Sequence, residues 1–241
     1  MEIDKKLLGL KNKELVEQAI LLHGDAIALL SAFNPEDVII SYWLGQINPN
    51  IKIFFLETAK HFPETLNYVE RIISKLKLKN VEFLTPDPKL INNVDKNGKL
   101  WQTQVNRCCY IRKVEPLERA LKNADFKAVI TGRRKEQTQD RSNIDFVELD
   151  TETLRIKYNP LLSWSAKERD TYMDEHGLEQ HPLYKLGYLS IGCAPCTTPV
   201  YLGEDERAGR WRHTRINNDS KSADDSGKTE CGIHLALDNE Q

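Results

Sequence analysis

Apolar residues recur at helical spacing through residues 5–23, at Leu7, Leu8, Leu10, Leu15, Val16, Ala19 and Ile20, which predicts an amphipathic helix. Residues 26–33, AIALLSAF, form an apolar run bounded by Gly24 and by Asn34-Pro35, the pattern of a short buried strand. Pro35 suits the first turn of a following helix, PEDVIISYWLGQ, with Asn34 as its N-cap. The alternation then repeats. IKIFFL reads as strand, ETLNYVERIISKLK as helix opened by Pro63, VEFL as strand, CCYIRKVEPLERALKNA as helix and KAVIT as strand. Strands separated by helices of this length favour a parallel sheet covered on both faces, and the right-handed crossover rule makes it a doubly wound, mostly parallel α/β layer. Ligands of such layers bind beyond the carboxyl ends of the strands, here SAFNPED, LETAKHF and TGRRKEQ.

After Asp150 the pattern changes to the segment TLRIKYNPLL, a helix SAKERDTYMDEHG, and a loop-rich C-terminal part. From 214 to 230 the only apolar side chains are Ile216 and Ala223, too little burial to offset the entropy of ordering the segment. The expected organisation is one α/β domain over residues 1–213 and a flexible arm over 214–241. With 40% hydrophobic residues among 241, the chain has material for a packed core. Its 34 Lys and Arg against 36 Asp and Glu leave a net charge of -2, without the global attraction of a general nucleic-acid binder. Any bound anion must therefore meet local positive charge. The longest apolar runs are far too short to span a bilayer, and MEIDKKLLGLKNKE carries no signal-peptide apolar region, so the reading is a soluble cytoplasmic protein without a membrane partner.

Five cysteines in such a setting point to metal ligation or catalysis more than to a disulfide framework. Cys108-Cys109 and Cys193-Ala194-Pro195-Cys196 supply four thiols in two clusters. A tetrathiolate accepts zinc or an iron-sulfur cluster, and a reducible Cys193–Cys196 pair with Cys108 and Cys109 as buried apolar fillers is equally open on spacing. Adjacent helical residues point about 100° apart, so joint ligation through Cys108 and Cys109 suits an extended multi-iron centre better than one tetrahedral ion. Cys231, in ECGIH after the polar segment, stands outside both clusters with His234 nearby to lower its pKa, which makes it a nucleophile candidate beside the plainer reading of a surface cysteine. The segment TGRRKEQ follows a strand, and EDERAGRWRH adds Arg207, Arg210 and Arg212. Both suit a phosphate or sulfate, against the alternative of a solvated charged surface.

Taken together, CCYIRKVEPLERAL, ITGRRKEQTQDR, GYLSIGCAPCTTPV, EDERAGRWR and ECGIH stand in the order seen in assimilatory adenylyl-sulfate (APS) reductases of the PAPS/APS reductase family, which the chain resembles over nearly its full length. The resemblance implies an adenine-nucleotide α-hydrolase-like, Rossmann-like fold and a [4Fe-4S] cluster on Cys108, Cys109, Cys193 and Cys196. It implies reduction of APS to sulfite and AMP for cysteine biosynthesis, with thioredoxin or a glutaredoxin-like dithiol protein as reductant. Cys231 then matches the nucleophile that carries the sulfonate as S-sulfocysteine, with His234 beside it. Lys113 matches a lysine joining the cluster region to the substrate's charged end, and Arg134, Lys135, Arg207 and Arg210 match phosphosulfate-binding residues. A homo-oligomer is compatible with the family, and the sequence leaves the oligomeric state open. The family commonly has a glycine in the loop before its Ala-Glu-Asp and in an Asp-Thr-Gly, where this chain has Phe33-Asn34-Pro35 and Glu57-Thr58-Ala59. The rival readings are a PAPS reductase, which typically lacks the cysteine pairs, or a dual APS/PAPS reductase, an ATP pyrophosphatase, whose Ser-Gly-Gly-x-Asp-Ser loop is absent, and a non-catalytic zinc-binding module.

Overall fold

The computed structural model describes residues 7, 9–150, 153–216, 228, 230 and 233. Six strands form one sheet: β1 (Ile27–Ser31), β2 (Lys52–Leu56), β3 (Val81–Leu84), β4 (Ala128–Thr131), β5 (Val147–Asp150) and β6 (Arg155–Tyr158), in the order β3-β2-β1-β4-β6-β5. All neighbouring pairs are parallel except β5 with β6. The expected doubly wound α/β layer is therefore present. The antiparallel edge strand β5 is an addition that residues 147–150 do not advertise, since every one of its positions is half-buried rather than alternating.

The central strands are mostly apolar because both faces are covered. On one face, α1 (Asn12–His23), α2 (Pro35–Ile47), α3 (Pro63–Lys75) and the later helix α7 (Ala166–Glu175) enclose a core that includes Leu15, Val38, Ile39, Phe55, Val69 and Met173. On the other, Leu117 and Leu121 pack with Ala28, Phe54 and Val129. A short helix missed by the apolar pattern, α4 (Pro88–Val94), begins at Asp87, whose side chain accepts the Lys89 amide. The predicted helix over 108–124 is composite: α5 (Val105–Cys109), one π turn at Tyr110–Val114, and α6 (Glu115–Asn123). A final short helix, α8 (Arg212–Ile216), crosses the expected domain boundary after residue 213. Among the described residues no helix is long and apolar enough to cross a membrane.

The chain leaves β1 toward β2 on one side and reaches β4 on the other, so strand order reverses between β1 and β4. A doubly wound sheet opens its ligand crevice at that point. Two residues near this end adopt the left-handed backbone region that favours glycine: Phe33 at φ 52° and Ala59 at φ 56°. These are the segments in which the chain lacks the glycines common to its resembled family. Burial of Phe33 against Phe55 at 5.8 Å between ring centres helps to hold its backbone there. Ala59 has less to offset the strain. Replacement of Ala59 by Gly is expected to raise stability by ~0.5–1 kcal/mol, measured by urea unfolding, and a loss of stability would contradict this account of the turn.

Candidate active site

A cleft opens over the carboxyl ends of β1, β2 and β4 and is lined by Ser31, Asp37, Thr58, Lys113, Arg133, Arg141, Arg207, Arg210 and Glu230, among others. Polar and charged side chains from several elements converge on it, over the strand ends where a doubly wound sheet binds its ligand. The loop after β1 is shaped from within. The Asp37 carboxylate accepts the Ala32 amide at 2.8 Å, and the Ser31 hydroxyl accepts the Phe33 amide at 3.0 Å. Asn34 occupies the N-cap position of α2 but makes no capping bond. Its side chain instead exchanges two hydrogen bonds with the Ile191 backbone, at 3.0 and 3.2 Å, and so pins the C-terminal segment across the mouth of the sheet.

Burial pushes the Asp37 carboxyl up to about 7, with Glu36 adding to the rise and the Ala32 amide opposing it. Gly132 after β4 packs against this residue so closely that a Cβ would collide with the Asp37 carboxylate. Glu36 behaves oppositely. Burial raises its pKa, but the charges of Arg169 and Arg134 outweigh it and hold the carboxyl below the usual range. Glu36 accepts from Arg134 at 2.6 Å and from Arg169 at 3.1 Å, and both arginines also reach Glu206.

That network decides where the sequence-identified cations sit. Arg134 is fully buried in it and does not line the cleft, while Lys135 is exposed and its amide donates to Leu162. Arg207 and Arg210 do line the cleft, and both guanidinium groups lie over the Trp211 ring, at 5.8 and 4.6 Å. Arg133 and Arg141 enter from the β4 side. Arg133 is paired with Glu148, whereas Arg141 donates to Gln137 and Glu230. Arg141 and Glu230 belong to motifs quoted from the sequence, but only the fold shows that they meet. The run of basic residues after β4 signals a cation cluster without revealing which of its members face inward.

Cys108, Cys109, Cys193 and Cys196 are all buried free thiols and line one smaller cavity with Lys113, Arg112 and Trp211. The π turn begins directly after Cys109, so the helix is underwound out of its ordinary register where two adjacent thiols line the same cavity. Arg112 braces this wall by donating to the Thr58 carbonyl at 2.8 Å and to Asp95 at 2.6 Å. The Thr58 hydroxyl is 3.3 Å from the Cys193 sulfur. Burial and then the neighbouring Cys193 push the Cys196 thiol up to about 12, and burial likewise raises Cys108. Lys113 and Cys193 line both cavities, so the thiol pocket and the cleft share a wall. Among the described residues, no three His, Cys, Asp or Glu side chains are arranged to hold a single metal ion. Cys231 and His234 lie outside the described residues, as does most of the expected arm.

The model of the phosphoadenosine phosphosulfate reductase domain matches residues 26–199. An adenosine 5'-phosphosulfate reductase of Mesorhizobium japonicum is 38% identical over 94% of this chain and 84% of its own length. A phosphoadenosine 5'-phosphosulfate reductase of Gloeobacter violaceus is also 38% identical, over 91% of this chain and 87% of its own. The crystal structure of a phosphoadenylyl-sulfate reductase from Candida auris, in a phosphate complex, superposes with a TM-score of 0.72 at 24% identity, covering 82% of this chain and 99% of that one, and bears on the fold alone.

The raised Asp37 carboxyl has a consequence for stability. The unfolded carboxyl ionises near 3.8 and the folded one near 7, so wild-type stability falls as pH rises through that window and levels off above it. Asp37→Asn removes this contribution, and its stability relative to wild type is expected to rise by ~2–3 kcal/mol between pH 5 and pH 8 in urea titrations. A pH-independent difference would place the ionisation elsewhere.

Proposed function

Because the chain belongs to the phosphoadenosine phosphosulfate reductase family, we propose that it reduces adenosine 5′-phosphosulfate to sulfite and AMP in sulfate assimilation, with a dithiol protein such as thioredoxin as reductant. The observation that carries this reading is the wall of Lys113 and Cys193 shared by the four-thiol cavity and the arginine-lined cleft. Relatives with this name align over most of both chains. A phosphoadenosine 5'-phosphosulfate reductase at the same identity supports the second reading, in which the substrate carries a 3′-phosphate. The four cysteines favour the first.

The donor set fits a [4Fe-4S] cluster held by Cys108, Cys109, Cys193 and Cys196. All four cysteines are free and buried, and all line one cavity. When bound, such a cluster would supply a polarisable metal–sulfur charge centre in the cavity that Lys113 also lines. The chain's own residues account for the bond changes. Arg141, Arg207 and Arg210 bind the phosphosulfate and stabilise charge on the departing AMP phosphate. The Cys231 thiolate attacks the sulfur of the substrate, the bond from that sulfur to the phosphate oxygen breaks, and AMP leaves with the electron pair. His234, three residues on, favours the thiolate. A dithiol thiolate then attacks the Cys231 sulfur and expels sulfite, and the second thiol resolves the mixed disulfide, so two electrons pass from dithiol to sulfonate. Cys231 lies in sequence between Glu230 and Ile233, both of which line the cleft, and this placement supports its role. Residues 1–213 would form the reductase domain, with the nucleophile carried beyond it, in the cytoplasm.

Sulfite release from APS and PAPS, measured side by side on anaerobically purified protein with thioredoxin and its reductant, tests the proposal. The expected result is a strong preference for APS. Preference for PAPS would establish the second reading, and no sulfite from either substrate would refute both. Cys231→Ser is expected to lose sulfite formation by at least ~100-fold while keeping its iron. Cys193→Ser is expected to lose iron and activity together. Unchanged iron content in that variant would argue against ligation.

A further inference from the structure

The arginines that face the cleft already hold a carboxylate. Glu230 accepts from Arg141 at 2.5 and 2.9 Å and from Arg207 at 3.3 Å, and its side chain is 10% exposed. Arg210 contributes its charge to the same group. The other carboxylates around the cleft are engaged differently: Glu36 and Glu206 pair with Arg134 and Arg169, and Asp37 accepts the Ala32 amide. Two guanidinium groups thus hold, and a third influences by its charge, one monoanion supplied by the residue that precedes Cys231 in sequence.

We propose that Glu230 is an internal stand-in for the substrate's anionic group, occupying the Arg141, Arg207 and Arg210 site until a phosphate- or sulfate-bearing ligand displaces it. A carboxylate has two oxygens and one charge, too few to satisfy three guanidinium groups. The Nε of Arg210 is buried and finds no hydrogen-bond acceptor among the described residues. A tetrahedral oxyanion offers more oxygens and a denser charge to the same three donors, so exchange favours the ligand while the carboxylate still competes with it. Ile233 packs against the cluster of Ala28, Phe54 and Leu117 and against that of Cys109 and Trp211. This apolar anchor does not depend on the arginine charges. Displacement therefore moves Glu230 without surrendering the anchor, and it couples arrival of the anion to release of the residue bonded to the nucleophile. Glu230 is in this sense a positioning residue, and the inference rests on the reading of the cleft as the site of an anionic substrate.

The test uses the full-length, cluster-loaded protein with inorganic sulfate and AMP as probes, so binding is read without turnover. Glu230→Gln is expected to bind both probes about ten-fold more tightly than wild type in calorimetric titrations, with Glu230→Asp, which keeps the charge, falling between. In wild type, added sulfate is expected to speed hydrogen exchange over residues 228–233. Equal or weaker binding by Glu230→Gln would overturn the proposal, as would exchange that sulfate leaves unchanged or slows. The sulfite assay on wild type decides the substrate reading separately, so the two can fail independently.

Discussion

Two arginines and two glutamates in the interior set the geometry on which the cleft depends. Glu36, at the start of α2, and Glu206, in the C-terminal segment, are each held by both Arg134 and Arg169. Arg134 follows β4 and Arg169 lies on α7, so four separate parts of the chain meet at one charge cluster. Burying these ions is favourable only as a complete set, because removing one partner from a buried pair leaves an uncompensated charge at a cost of about 3–5 kcal/mol. The network therefore fixes the C-terminal segment to the sheet, and with it the neighbouring Arg207 and Arg210. Its second effect is to consume Arg134, which leaves Arg141 as the cation of that loop that reaches Glu230.

The same segment also forms the far wall of the thiol cavity. The Trp211 amide donates to the Cys196 carbonyl at 2.8 Å, and the Trp211 ring is fully buried between the cysteines and the cations of Lys113, Arg207 and Arg210. Thiols buried in apolar surroundings resist ionisation, whereas nearby cations favour it. Lys113 and Arg210 both act on Cys196 in that second sense. Two cations that line the cleft thus lie close enough to Cys196 to oppose part of the rise that burial imposes on its thiol.

Much of the layer was legible because its physics is local. Apolar runs of five or so residues between helical segments identify β1, β2, β3 and β4, and Pro35 and Pro63 mark the helix starts observed. β5 was not legible, since its half-buried positions lack a period-two signal. The Asn34 side chain was legible as a cap on sequence grounds, yet it bonds the Ile191 backbone 157 residues away. Similarly, nothing local distinguishes Arg134 from Arg133 or Arg141, because their environments come from Glu36, Glu148 and Glu230, which are distant in sequence.

The sequence by itself determined the residue types available for chemistry: two thiol clusters, a separate cysteine beside a histidine, and arginine-rich loops at strand ends. It also determined the alternation that makes a doubly wound layer, since hydrophobic period and turn residues act over a few positions. Only the tertiary structure decided which cations face the cleft, that Lys113 and Cys193 join the two cavities, and that Glu230 sits among the arginines. The physical reason is that charge pairing and burial are properties of neighbours in space, and here those neighbours lie tens of residues apart along the chain.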